Sequence, residues 1–149
     1  MNQEPINLKC AVHLFLIKDG KVLVEKRKNR TYSNGQYDVI AGHIIGGHDV
    51  YDEMIRIAKK EVNIDIKRED LKPIQVMHHN GEGSEYIHYF FITENFEGEL
   101  NNNEPNICEF LAWEDFIYPI NNMMDYINYA IKCYLEDPTN MFTTYEFDK

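Results

Sequence analysis

Residues 42–64 read GHIIGGHDVYDEMIRIAKKEVNI, and a change of period inside this stretch decides the architecture. Up to Gly47 it is a glycine-bearing loop. From Val50 the apolar residues recur every four positions (Val50, Met54, Ala58, Val62), which makes one stripe of a helix. Asp49 can cap the start of that helix, with Asp52 at its third position, and Asn63 can close it in the left-handed conformation. The spacing predicts a helix near residues 50–62.

On the N-terminal side the pattern is extended. Residues 10–17 form an apolar run, Asp19-Gly20 signals a hairpin, and residues 21–27 alternate, with Val22 and Val24 on one face and Leu23 and Glu25 on the other. Residues 37–40 read as a short strand after the Asn34-Gly35 turn. On the C-terminal side, Ile64 and Ile66 alternate with Asp65, and strands are predicted over 74–78 and 86–93, with a loop at 80–84. A further extended segment begins at 109–113. A helical pattern returns over 123–135, and the tail after Pro138 has aromatics but no usable period. Strands followed by a helix, more strands and a second helix predict an α/β (α+β) fold with a mixed β-sheet sandwiched between α-helices, in one domain over residues 1–149.

Composition narrows the function classes. The chain has 149 residues, 44% hydrophobic and 27% charged, which suits a globular core rather than a disordered segment. Its formal net charge of −10 repels nucleic acid polymers and anionic membranes, so neither is expected as a partner. A small anionic ligand would need a local basic pocket or a bridging metal. No apolar run approaches the ~20 residues that cross a bilayer, and residues 1–5 lack the basic and apolar regions of a signal peptide. The three cysteines, Cys10, Cys108 and Cys133, are odd in number and far apart, which fits reduced, buried thiols in the cytoplasm.

The stretch from Gly42 to Ile64 resembles the Nudix box: glycine, five residues, glutamate, seven residues, then Arg-Glu-apolar, one residue, Glu-Glu, one residue and Gly-apolar. Gly42, Arg56, Ala58, Glu61 and Ile64 match it. His48, Ile57, Lys60 and Asn63 depart from it. Residues 34–43, 74–78, 86–91 and 98–113 also follow MutT-like members, so the resemblance covers nearly the whole chain. It implies a Nudix fold and a hydrolase of nucleoside diphosphates linked to another moiety. It also implies Mg²⁺ or Mn²⁺ as cofactor and a small nucleotide-like ligand, and many Nudix proteins pair as homodimers. Here the aromatic tail (Phe142, Tyr145, Phe147) could serve that purpose.

Diphosphate cleavage needs phosphate charge neutralised and a water placed in line, and a divalent metal does both. Helix positions separated by three and four residues share a strip, so three carboxylates there can converge on metal. In this chain the three positions are Ile57, Lys60 and Glu61, which carry no net charge where the family carries three negative ones. One charge at ~4 Å and an effective dielectric of ~20 is worth ~4 kcal/mol, so magnesium-dependent turnover is expected to be weakened or lost. The alternative is an inactive domain that binds a nucleotide or a protein.

The resemblance places the metal on Glu61 and the Ala41 carbonyl. Glu61 could equally be an ordinary helix-face glutamate. The resemblance gives Arg56 with Glu61 as catalytic; by itself Arg56 reads as a structural clamp between helix and loop or a phosphate contact, with His48 able to accept one hydrogen bond from it, and Asp52 and Glu53 read as first-turn acids. Lys60 could pair with a phosphate or be an exposed helix lysine. Asn121 and Asn122 could read a base edge, as an asparagine in such a stretch does in MutT-like members, or cap the helix starting near Met123. Trp113 and Phe116 could stack on a base or lie in the core. A transition-metal set of His48, Glu61 and His88 is a further alternative.

Overall fold

The computed structural model describes residues 4–81 and 83–147. The signal-peptide reading at residues 1–3, and Glu82 within the 80–84 loop, lie outside them. Eight strands are β1 (Lys9–Lys18), β2 (Lys21–Arg27), β3 (Tyr37–Asp38), β4 (Ile40–His43), β5 (Lys72–Gly81), β6 (Ser84–Thr93), β7 (Cys108–Asp115) and β8 (Phe142–Tyr145). Two helices are α1 (Val50–Val62) and α2 (Asp125–Glu136), and a 3₁₀ turn covers Arg68–Asp70.

The sheet runs in the order β3-β2-β1-β6-β5-β8, with β4 paired to β1 and β7 to β2. It is mixed: β1 pairs parallel with β6 but antiparallel with β4, and β5 pairs antiparallel with β6 but parallel with β8. Alternation along the strands sorts their side chains onto two faces. Phe15, Val22, Val24, Met77 and Phe90 pack with Ile127, Ala130 and Ile131 of α2. Leu14, Leu16, Leu23 and Phe91 pack with Met54, Ile57, Ala58 and Val62 of α1. The arrangement is the predicted sheet with a helix on each side.

Local chemistry explains the element ends. Asp49 accepts the Asp52 amide at 3.0 Å, and Asn63 closes α1 at φ 65° with its own amide on the Lys59 carbonyl. Asp19 and Gly20 turn the first hairpin at φ 53° and 76°, both left-handed, as a two-residue connection requires.

Three expectations are corrected, and the tail gains an assignment. Asn80, Gly81 and Ser84, within the stretch read as a loop, lie in strands, because Asn80 pairs with Glu85 and Gly81 with Ser84. The single strand over 37–40 is two, β3 against β2 and β4 against β1. The tail carries a strand, β8, recruited by the free edge of β5. Within that tail Phe142 is 74% exposed, while Tyr145 stacks near Tyr129. Of the three free cysteines only Cys108 is buried; Cys10 and Cys133 are half-buried. No helix among the described residues is long and apolar enough to cross a membrane.

Candidate functional site: a carboxyl pair and a histidine chain around one cleft

Helix α1 carries the box residues, and its first two turns are fastened by Glu53. This glutamate is fully buried; it accepts the Ile45 amide at 3.0 Å and pairs with Arg56 Nη2 at 3.0 Å. The hydrogen bond from Arg56 holds the Glu53 carboxyl below its ordinary range. Arg56 is therefore clamped to Glu53 and not to His48, which stands exposed in the preceding loop. Glu53 is a structural anchor rather than a first-turn acid facing solvent. Replacing it with alanine would strand the Ile45 N–H and half the Arg56 guanidinium, with an expected loss of about 2 kcal/mol of stability in urea unfolding. Asp52, with Asp49, pairs instead with Arg68 on the 3₁₀ turn.

The strip that should hold metal is built differently. Ile57 is 3% exposed and lies over Gly42: a Cβ added to Gly42 would stand 2.7 Å from Ile57 Cδ1. Hydrocarbon thus fills the space next to the glycine, where the family pattern puts a carboxylate. Lys60 points outward, two-thirds exposed, 3.9 Å from Glu104, and does not line the cleft. Glu61 turns inward and accepts the Ala41 amide at 3.3 Å, so the contact it makes with Ala41 runs through the N–H.

Beside Glu61 stands a carboxyl group that the box does not contain. Glu25 of β2 is 6% exposed and lies beside the Glu61 side chain. Burial, with neighbouring carboxylates, raises both: Glu61 to about 8, and Glu25 well above the ordinary range. Two carboxyl groups in contact are held together best when they share one proton. Asp38 lies opposite Glu25 across the β2–β3 ladder and is held by Arg27 at 2.7 Å, both side chains nearly buried. The expected neutral strip was counted on the box positions. The box positions alone are neutral, but strands β2 and β3 bring in two further acids.

A cleft of about 720 Å³ opens beside this region, within the usual size of a small-molecule site. Ala41 and Gly42 line it, as do Arg30 and Lys9. Neither cation has an ion-pair partner among the described residues, and the Lys9 ammonium lies 5.8 Å from the Tyr86 ring centroid. Tyr86 stacks on His88 at 5.2 Å and near His43 at 5.9 Å. The cleft's inner wall is a series of imidazoles. His13 Nε2 meets His88 Nδ1 at 2.9 Å, His88 Nε2 meets His79 Nδ1 at 3.1 Å, and His79 Nε2 meets Glu146 Oε1 at 3.3 Å. Burial drives His13 down to about 3 and His88 to about 2, so both are neutral at pH 7.

The other sequence candidates fall outside this cleft. Asn122 sits at φ 68° and donates its amide to the Gly35 carbonyl at 2.7 Å, while Asn121 is exposed, and neither lines the cleft. Neither caps α2, whose cap position is Met124 without a side-chain bond, because the helix begins at Asp125. Trp113 packs against the α1 side of the core and Phe116 against the α2 side. His48, Glu61 and His88 are not brought together, and no group of three or more His, Cys, Asp or Glu side chains among the described residues is placed to hold a metal ion. Sequence reasoning missed Glu25 and His13. The available signal was a polar residue on the inward side of an otherwise apolar strand.

Several solved structures share this architecture. A MutT Nudix hydrolase from Burkholderia pseudomallei superposes with a TM-score of 0.77 at 20% identity, over 85% of this chain and 98% of that one. The MutT protein of Methanosarcina mazei Go1 gives 0.76 at 12% identity, over 94% and 100%. The fold is the Nudix fold. A third Nudix-fold match, at 0.71 and 16% identity, covers 91% of this chain and 44% of a bifunctional NMN adenylyltransferase/ADP ribose pyrophosphatase from Francisella tularensis, a structure complexed with AMP and a manganese ion. No family model matches the sequence, and no curated protein matches it.

Proposed function

We propose that this Nudix-fold domain takes a small nucleotide-like ligand in the cleft and that its magnesium-dependent pyrophosphohydrolase turnover is weak. The observation that carries the reading is the packing of Ile57 on Gly42 beside Glu61, whose carboxylate takes the Ala41 N–H. Mg²⁺ favours several oxygen ligands in near-octahedral geometry. Here one strip position is hydrocarbon, one is an outward lysine, and the third, Glu61, already takes the Ala41 N–H. This donor set does not fit the three-carboxylate metal site of the family pattern. Ligand binding is supported separately, by the size of the cleft and by two cations lining it without ion-pair partners among the described residues, in a chain of net charge −10. An anion is the natural complement to Lys9 and Arg30.

The residual enzyme reading keeps Glu61 as metal ligand and catalytic group. It is favoured by one observation: Glu25 supplies a second carboxyl where the box has lost two. Assays of nucleoside triphosphates and nucleotide sugars with Mg²⁺ or Mn²⁺ decide between the readings. Expected is hydrolysis far below the ~10 s⁻¹ of a typical enzyme, abolished by Glu61→Gln. Turnover at ordinary rates by the wild type refutes the weak-turnover proposal. The paired change Ile57→Glu with Lys60→Glu is expected to raise Mn²⁺ affinity at least about tenfold in calorimetry. Unchanged affinity would show that these two positions do not limit metal binding.

A further inference from the structure

The connection between β2 and β3, residues 28–36, is fastened along its length. The Asn34 side chain accepts the Arg30 amide at 2.8 Å and donates to the Arg30 carbonyl at 3.0 Å. Asn29 donates to the Asn106 carbonyl at 2.9 Å, and Asn122 donates to the Gly35 carbonyl at 2.7 Å. Asn29 and Ser33 are bent into left-handed backbone at φ 52° and 57°, which residues other than glycine adopt at a cost. A loop fixed in this way presents its side chains at set positions.

Two of those side chains border the cleft with binding capacity left over. Arg30 lines it, and no ion pair among the described residues includes Arg30. The nearby carboxyl, Asp38, is already engaged on both oxygens, Oδ2 by Arg27 at 2.7 Å and Oδ1 by the Val39 N–H at 2.8 Å. Tyr32 also lines the cleft and is 55% exposed. One face of its ring lies on the Arg27 guanidinium, whose Cζ is 4.8 Å from the ring centroid, and that guanidinium is in turn held by Asp38. No aromatic ring among the described residues stacks on the other face. A tyrosine seated on a fixed cation at the border of a cleft is a platform for a planar ring. An arginine without a carboxylate partner complements a phosphate.

We propose that the 28–36 loop binds nucleotides without a metal, with Arg30 on a phosphate group and Tyr32 stacked on the base. The inference rests on the nucleotide reading above and adds to it the two contacting residues and the independence from divalent cations. Both residues lie outside the box, so the changes at Ile57 and Lys60 leave this contact untouched. A stack accepts any base, because each has a π face, so the recognition is of nucleotides as a class.

Titrations of the full-length protein in EDTA test it, with AMP, adenosine and ribose 5-phosphate as probes, by calorimetry and, for the weaker fragments, by ligand-observed NMR. AMP is expected to bind in EDTA, at least about tenfold more tightly than either fragment. Added salt is expected to weaken AMP and ribose 5-phosphate but not adenosine. Arg30→Gln is expected to reduce AMP to the level of adenosine while adenosine itself is unchanged. Tyr32→Ala is expected to reduce AMP to the level of ribose 5-phosphate, and Tyr32→Phe to match wild type, because the stack needs the ring and not the hydroxyl. The fragment left unaffected in each variant shows that the cleft is still folded. AMP binding that appears only with Mg²⁺ overturns the proposal. So does AMP affinity unmoved by Arg30→Gln and Tyr32→Ala, or adenosine as sensitive to salt as AMP. Each of these results leaves the nucleotide reading intact, since the wild type still binds. Failure of AMP, GMP and UMP to bind with either EDTA or Mg²⁺ overturns the proposal and the nucleotide reading together.

Discussion

Replacing Arg27 with methionine is expected to cost about 3–5 kcal/mol of folding stability, the range for removing one partner of a buried ion pair. Arg27 is 5% exposed and Asp38 8%. The guanidinium donates to Asp38 Oδ2 at 2.7 Å and to the Tyr32 carbonyl at 3.3 Å, and it lies 4.8 Å from the Tyr32 ring. Burial pushes the Asp38 carboxyl up while Arg27 pulls it down. Without the arginine, Asp38 would face Glu25 and Glu61 with no cation between the strands, and would be driven to take up a proton. Urea unfolding at pH 7 measures the loss. Adding Asp38→Asn to Arg27→Met is expected to recover part of it, because the stranded charge is then gone. A double variant as unstable as the single one would show that Arg27 acts through packing and not through charge.

The second large effect concerns pH. A carboxyl group raised by the fold holds a proton that the unfolded chain has already released. Stability therefore falls as pH climbs from the unfolded value near 4.5 through the folded value of about 8 for Glu61, by about 1.4 kcal/mol per unit for each proton. His13 and His88 work in the opposite direction. Both are depressed from 6.5, so the unfolded state gains protons that the folded state refuses, and stability falls as pH drops from 6.5 towards 3. Between pH 4.5 and 6.5 the two imidazoles and the two carboxyls offset each other, and above 6.5 only the carboxyls remain. Glu25→Gln removes one acid and leaves an amide able to donate to Glu61. The variant is expected to be more stable than wild type by the order of 2 kcal/mol at pH 8, with little difference at pH 5. Parallel stability–pH curves for the two proteins would refute the shared proton.

The fold was legible in the sequence wherever a period ran long enough. Helix α1 was readable because four apolar residues repeat at spacing four between Asp49 and Asn63, both of which cap in the structure as their chemistry suggests. The first hairpin followed from Asp19-Gly20. Strand β8 was not legible, because four residues, Phe-Thr-Thr-Tyr, become a strand only when β5 offers an open edge. The site was legible in its box residues and hidden elsewhere. Ile57 and Lys60 announced a change in charge, but nothing local tied Glu25 to Glu61, which lie in different elements and meet only after β2 packs against α1. The same holds for Arg56: the family spacing pointed to His48, and the structure supplies Glu53 three residues away on the same helix, where neighbours one turn apart meet. His13 looked like one polar residue in an apolar strand until the parallel register of β1 with β6 brought it to His88.

The parallel pairing of β8 with β5 bears on how the molecule is made. A ribosome delivers residues 142–146 after all the other strands, so a nascent chain can assemble the rest of the sheet while the outer rim of β5 is still bare. During that interval the Glu146 carboxylate is not yet beside His79. The binding wall is completed only when those five residues emerge and zip alongside a strand synthesised more than sixty residues earlier.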